Sequence, residues 1–177
     1  MNAPSLVDQN ILITGAAGRI GSAVAKLCLA HGATVLLADI STKSLDRLLL
    51  DLSSFETDRI YSFVADTSTA AGINSLVELA SSSTGCIDAA VHCAYPRSNG
   101  WGTKFEDIQD HQLFEDLNMQ LGGAILHRRE AHLHELLHRE NSTILLTVFK
   151  TPPCFIPGHF SKLRKSIGTS TVTLVFC

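Results

Sequence analysis

Five short runs of almost continuously apolar residues punctuate the first 150 positions of this chain. Between them, apolar residues return every three or four positions. The runs Asn10–Thr14, Thr34–Ala38 (closed by Asp39), Ile60–Ala65 (closed by Asp66), Ile87–Cys93 and Ser142–Phe149 read as strands. From Ile20 to His31, the positions Ile20, Val24, Leu27 and Cys28 mark one face of a helix, and Gly32 supplies a residue that can end it. Further helices are expected over Ser44–Leu52, Ala70–Ser81 and, after a break, Asp110–Arg139, with a polar loop from Tyr95 to Lys104. Strands that alternate with helices pair in parallel through right-handed crossovers. Strands this apolar belong to a sheet covered on both faces. The expected fold is therefore α/β, a three-layer doubly wound parallel sheet (Rossmann fold).

The segment Thr14-Gly-Ala-Ala-Gly-Arg-Ile-Gly21 joins the first strand to the first helix. Gly15 allows a tight turn off the strand, Gly18 lets backbone approach a pyrophosphate, and Gly21 lets the helix pack closely. The helix start then offers free N–H groups and the positive end of its dipole to phosphate. Arg19 is a candidate phosphate contact. Asp39 ends the second strand 18 residues after Gly21, where a carboxylate can accept from ribose hydroxyls and repel a 2′-phosphate. No Arg immediately follows it, so NAD is expected over NADP.

Composition narrows the picture. At 177 residues, 45% apolar and 18% charged, the chain can bury one core. A formal charge of −3 gives no reason to expect nucleic acid or an acidic membrane surface as partner. No apolar run reaches the roughly 18 residues of a membrane span, and the start from Met1 to Asn10 does not resemble a secretory signal. The cysteines, Cys28, Cys86, Cys93, Cys154 and Cys177, form no CxxC pair and read as reduced thiols. A cytoplasmic protein is expected.

The Gly-rich turn resembles the Thr-Gly-x-x-(x/Gly)-x-x-Gly fingerprint of the short-chain dehydrogenase/reductase family, and the resemblance runs from about Gln9 to Leu146. It implies an NAD(P)-binding domain over residues 1–150, with Gly15, Gly18, Arg19, Ile20, Gly21, Asp39, Asp66, Thr67 and Ala94 on the cofactor. Asp66 would touch the adenine. The family's Asn-Asn-Ala-Gly segment falls on His92-Cys-Ala-Tyr95, where only Ala94 agrees. Cys93-Ala-Tyr-Pro-Arg97 is similar to a bacterial subgroup linked to flagellin or surface-sugar modification, which implies a small polar or sugar-like substrate. Asn118 matches the family's structural Asn. The 110–139 helix falls where the family builds its dimer interface, which implies a homo-oligomer.

The resemblance also implies a Ser after strand five and a Tyr-x-x-x-Lys on the next helix. Here Val148 or Phe149 stands at the Ser position. Tyr61 and Tyr95 are the only tyrosines, so neither Lys162 nor Lys165 has the required partner. From Thr147 the chain carries Pro152, Pro153 and Pro157, four basic residues and no acidic one. Residues 151–177 read as an atypical tail rather than a separate domain, with a β-prone run from Thr169 to Phe176. A sheet incomplete at its C-terminal end is expected, with strand five as an apolar edge. Such a chain suits a truncated or frame-shifted product, impaired in catalysis, or a non-catalytic nucleotide-binding or regulatory module.

A third reading is a zinc peptidase. His134-Glu-Leu-Leu-His138 matches the HExxH pattern, with Glu135 as base. No acidic residue follows Glu140 to complete the site, and His159 reaches it only if the loop folds back. An accidental match on a His-rich helix is the better account, so no metal is expected. His127 and His132 read as solvated or interfacial, and Trp101 and Phe105 as loop anchors near the ligand side of the sheet.

Overall fold

The computed structural model describes residues 5–100, 102–123, 125–126, 143–148, 161–167 and 170–176. The elements run β1 (Asn10–Thr14), α1 (Arg19–Ala30), β2 (Thr34–Asp39), α2 (Thr42–Asp51), β3 (Ile60–Val64), α3 (Ala70–Thr84), β4 (Ala89–His92), α4 (Asp110–Leu117), β5 (Thr143–Val148), β6 (Ser161–Ile167) and β7 (Ser170–Phe176). The sheet order is β3-β2-β1-β4-β5-β7-β6. All neighbours pair in parallel except β6 with β7.

Alternation along the central strands divides the core into two layers. Leu12, Leu36, Ala38 and Ala90 point to one face and pack with Ile73, Leu76, Val77 and Ala80 of α3. Ile11, Ile13, Val35, Leu37 and Val91 point to the other, against Ala25, Cys28 and Leu29 of α1 and Leu45 and Leu48 of α2. This is the expected three-layer arrangement. Leu12, Ile13, Leu36 and Leu37 are fully buried, and each such side chain contributes about 2 kcal/mol of hydrophobic stabilisation.

The path through the sheet positions the site. β1, β2 and β3 step outward in one direction, and the crossover through α3 then returns the chain to the opposite side of β1. β1 and β4 thus flank a topological switch point, where α/β sheets open a crevice at the carboxyl ends of their strands. Thr14 is in register with both Ala38 and His92, and Asp39 with Val64. The strand ends are level, so Gly15, Asp39, Ala65 and Cys93 line one edge.

Some expectations change. β3 is an edge strand of alternating exposure, with Val64 59% exposed, rather than a strand covered on both faces. α3 runs to Thr84 instead of Ser81, because the left-handed Gly85 (φ +78°) stops it. β4 is shorter than its apolar run. The 110–139 helix is not continuous α-helix: α4 gives way to a π-helical turn at Asn118–Gly122. Its residues beyond 126 lie outside the described part. Strand five is not an edge either, since β7 pairs beside it from Thr143↔Thr171 to Val148↔Phe176. The tail residues 161–167 and 170–176 join the same sheet. Among the described residues, no helix is long and apolar enough to cross a membrane.

Candidate functional site

Backbone contacts fix the turn after β1. Gly15 adopts φ +64°, and a Cβ there would stand 2.5 Å from Ala94 N and 2.6 Å from the Cys93 carbonyl. The turn and the end of β4 are in direct contact, a reason for glycine beyond the bend itself. At Gly21 a Cβ would collide with the Gly15 carbonyl and Ala16, so α1 packs on the turn's own backbone. Ala16 N–H donates to the Ala38 carbonyl at 3.0 Å, and Gly18 N–H to the Gly15 carbonyl at 3.0 Å. Ala17 N–H donates to Asp39 Oδ2 and Ser41 N–H to Asp39 Oδ1, each at 3.1 Å. Asp39 therefore ties the turn to the start of α2.

Gly18 is different. Its Cβ would meet one backbone atom, the Gly15 carbonyl at 3.2 Å, a tighter fit than an ordinary van der Waals contact but without the overlap found at Gly15 and Gly21. Gly18 caps α1 without a side-chain hydrogen bond, and no acidic residue lies in the first turn. By contrast Ser41 caps α2 by accepting from Ser44 N–H at 3.2 Å, and Thr69 caps α3 by accepting from Gly72 N–H at 3.1 Å. The leading amides of α1 thus keep their capacity for an anion.

On the β3 side, Asp66 Oδ1 accepts from Ser68 N–H at 2.9 Å and from the Ser68 hydroxyl at 2.6 Å, shaping the entry to α3. On the β4 side, buried His92 Nδ1 lies 2.8 Å from the buried Thr14 hydroxyl. Burial pushes the His92 pKa down to about 4, so the ring is neutral at neutral pH. Beyond it, Asp116 Oδ1 accepts from Ser98 N–H at 2.8 Å, and Gln120 Nε2 donates to the Pro96 carbonyl at 3.3 Å. Tyr95 shares a side-chain hydrogen bond with Gln120. Burial raises the Tyr95 phenol pKa and Asp116 adds to this, against the Gln120 hydrogen bond and Arg97.

These walls enclose a cleft of about 790 Å³, within the range of small-molecule sites. Gly15, Gly18, Arg19, Ile20, Gly21, Asp39, Asp66, Thr67 and Ala94 all line it. Tyr95, Pro96, Arg97 and Ile40 line it too, and the sequence reading did not include them in the site. The space over Gly18 and the uncapped start of α1 fit a dinucleotide phosphate. Asn118 is exposed, stands at the start of the π-helical turn and does not line the cleft.

A family model for short chain dehydrogenases matches residues 9–148. The chain belongs to this family. It is 31% identical to post-translational flagellin modification protein A of Campylobacter coli over 126 residues, 71% of this chain and 49% of the relative. A Mycobacterium tuberculosis hydroxy-methyl-oxo-hexahydroindene-carboxyl-CoA reductase is 29% identical over 122 residues, 68% of this chain and 45% of that protein. A glucose/ribitol dehydrogenase-type family member from Brucella melitensis superposes with TM-score 0.72 at 28% identity, over 82% of this chain and 56% of that one. A 3-ketoacyl-(acyl-carrier-protein) reductase from Brucella melitensis, complexed with NADH, shares the fold at TM-score 0.68 and 23% identity, over 81% of this chain and 58% of that one. The chain spans about half the length of the curated relatives it matches.

β5 ends at Val148, and Lys162 and Lys165 lie on β6. Tyr61 packs on the core beside α3. His127, His132, His134, Glu135, His138 and His159 lie outside the described residues, as do Trp101, Phe149, Cys154 and Cys177. Phe105 begins a short 3-10 turn. Among the described residues, no group of three or more His, Cys, Asp or Glu could hold a metal.

Proposed function

We propose that this chain is an NAD-binding member of the short-chain dehydrogenase/reductase family, and that it binds dinucleotide with impaired dehydrogenase chemistry, because the family's Ser and Tyr-x-x-x-Lys have no counterparts after its fifth strand. The observation that carries the binding is the uncapped α1 N-terminus facing a cleft that holds all nine expected cofactor residues. Asp39 supports NAD over NADP, because its carboxylate stands at the end of β2 where a 2′-phosphate would bring like charge. The impaired step rests on the sequence: no tyrosine follows Tyr95. Without a proton partner at the substrate oxygen, general acid–base help of about 10²–10⁴-fold is lost. A regulatory module that only senses the dinucleotide is the variant reading.

The same reading extends to partners. The Campylobacter coli relative is named for flagellin modification, and a polar wall at Tyr95 and Arg97 suits a small polar or sugar-like substrate. Phe114, Leu117, Leu121 and Ile125 sit three or four residues apart and are 66%, 50%, 55% and 56% exposed. A stripe of this kind suits a second copy of the chain. Free thiols at Cys28, Cys86 and Cys93 suit a reducing cytoplasm.

Calorimetric titration with NAD+ and NADP+ tests the cofactor assignment. NAD+ should bind more tightly, and Asp39→Asn should narrow the preference. Equal or tighter NADP+ binding by the unmodified chain would refute it. A steady-state assay over an alcohol and ketone panel tests the catalytic half. Clear turnover surviving Tyr61→Phe and Tyr95→Phe would show that another acid does the work.

A further inference from the structure

The order of groups along the cleft follows the order of strands. Asp66 follows β3, Asp39 ends β2, the Gly-rich turn follows β1, and Tyr95–Arg97 follow β4. Neighbouring strands stand about 4.8 Å apart, so these groups form a row. A dinucleotide with its first ribose at Asp39 and its pyrophosphate at α1 has only the β4 side left for its second nucleoside. There the protein presents a segment fastened at several points. Cys93 N–H donates to the Thr14 carbonyl at 2.9 Å, Pro96 is held by Gln120, and Ser98 is held by Asp116.

Asp116 and Gln120 are four residues apart, one before and one within the π-helical turn. Gln120 reaches both the Pro96 carbonyl and the Tyr95 side chain. The same stretch touches the other rim, because a Cβ on Gly123 would stand 2.9 Å from the Thr67 carbonyl. Turns of this π type inside α-helices concentrate at functional sites.

We propose that the Tyr95 hydroxyl is the polar contact for the nicotinamide itself, and that Gln120 on the π-helical turn is the positioning residue that aims it. The proposal rests on the dinucleotide reading of the cleft. The raised phenol pKa is consistent with it, since a neutral phenol keeps its proton to donate.

Calorimetry on the full chain with two probes, NAD+ and ADP-ribose, tests the proposal. ADP-ribose carries the adenosine, pyrophosphate and second ribose but no nicotinamide. Tyr95→Phe and Gln120→Leu should each weaken NAD+ by about threefold to tenfold, the worth of one hydrogen bond. ADP-ribose affinity should stay within about twofold, which also shows that the variants fold. The double variant should lose no more than Tyr95→Phe alone, because Gln120 acts through Tyr95. Equal weakening of both ligands, or unchanged NAD+ affinity, would overturn the contact. Additive losses in the double variant would overturn the positioning role. An unmodified chain that binds neither ligand would overturn the dinucleotide reading, and this inference with it.

Discussion

The two walls of the cleft are held by different physics. The wall at β1 is backbone against backbone: Gly15 abuts Cys93 and Ala94, and Gly21 abuts Gly15 and Ala16, with no room for a methyl group. The wall at β4 is backbone held by side chains, through Asp116 on Ser98 and Gln120 on Pro96. Contacts of the first kind cannot vary without moving a strand. Contacts of the second kind can be retuned one residue at a time at a cost near one hydrogen bond. Under the dinucleotide reading, the rigid wall is the phosphate end and the retunable wall is the β4 side.

The largest effect should come from Gly15→Val. It combines a left-handed φ with a clash against the end of β4, so we expect a loss of about 4 kcal/mol in stability, read by denaturant unfolding. Unchanged stability would mean that the two walls do not touch as described.

Next is the Thr14–His92 pair beneath both walls. The ordinary histidine pKa of 6.5 falls to about 4 in the folded chain. As pH drops, the unfolded state takes up the proton first. The stabilisation is therefore complete above about pH 6.5 and is lost as pH falls through the window down to about 4. A shift of this size corresponds to about 3 kcal/mol. Replacing His92 with Asn should flatten that part of the stability–pH curve. A curve of the same slope in both proteins would contradict the burial of a neutral ring.

Gly18→Val should separate folding from binding. Its Cβ would meet one backbone atom, the Gly15 carbonyl at 3.2 Å, so the stability cost should be about 1–2 kcal/mol, well below that of Gly15→Val. Dinucleotide affinity should fall at least about tenfold, because the branched side chain enters the space over the helix start. Retained affinity would put the phosphates elsewhere. The smallest effect should be Asp116→Ala, which frees the Ser98 amide. A loss of about 1 kcal/mol in stability is expected, with faster hydrogen exchange confined to the 95–98 loop.

The sequence was most informative where local backbone rules decide. Gly15, Gly18 and Gly21 were singled out by their spacing, Asp39 by its place at a strand end, and Asp66 by the family resemblance. The reasons for the glycines came only partly. Contact between Gly15 and β4 joins residues nearly eighty positions apart, and nothing local signals it. Tyr95 was noted as a departure from the family pattern, but its link to Gln120 depends on how the π-helical turn rotates the helix face. An uninterrupted period of 3.6 residues does not anticipate that rotation. His92 left one trace, a polar residue closing an apolar strand. The neighbour of β5 was misjudged for a plainer reason. The β-prone run to Phe176 was visible, but β pairing partners are set by tertiary packing rather than by propensity.

The central claim, that one cleft across the ends of β1 to β4 takes a dinucleotide, is tested most directly by backbone amide NMR during an NAD+ titration. We expect saturable shift changes at Gly18–Gly21, Asp39–Ile40, Asp66–Thr67 and Ala94–Arg97, with the leading amides of α1 moving most. Shifts that never saturate, or that cluster away from these strand ends, would contradict it.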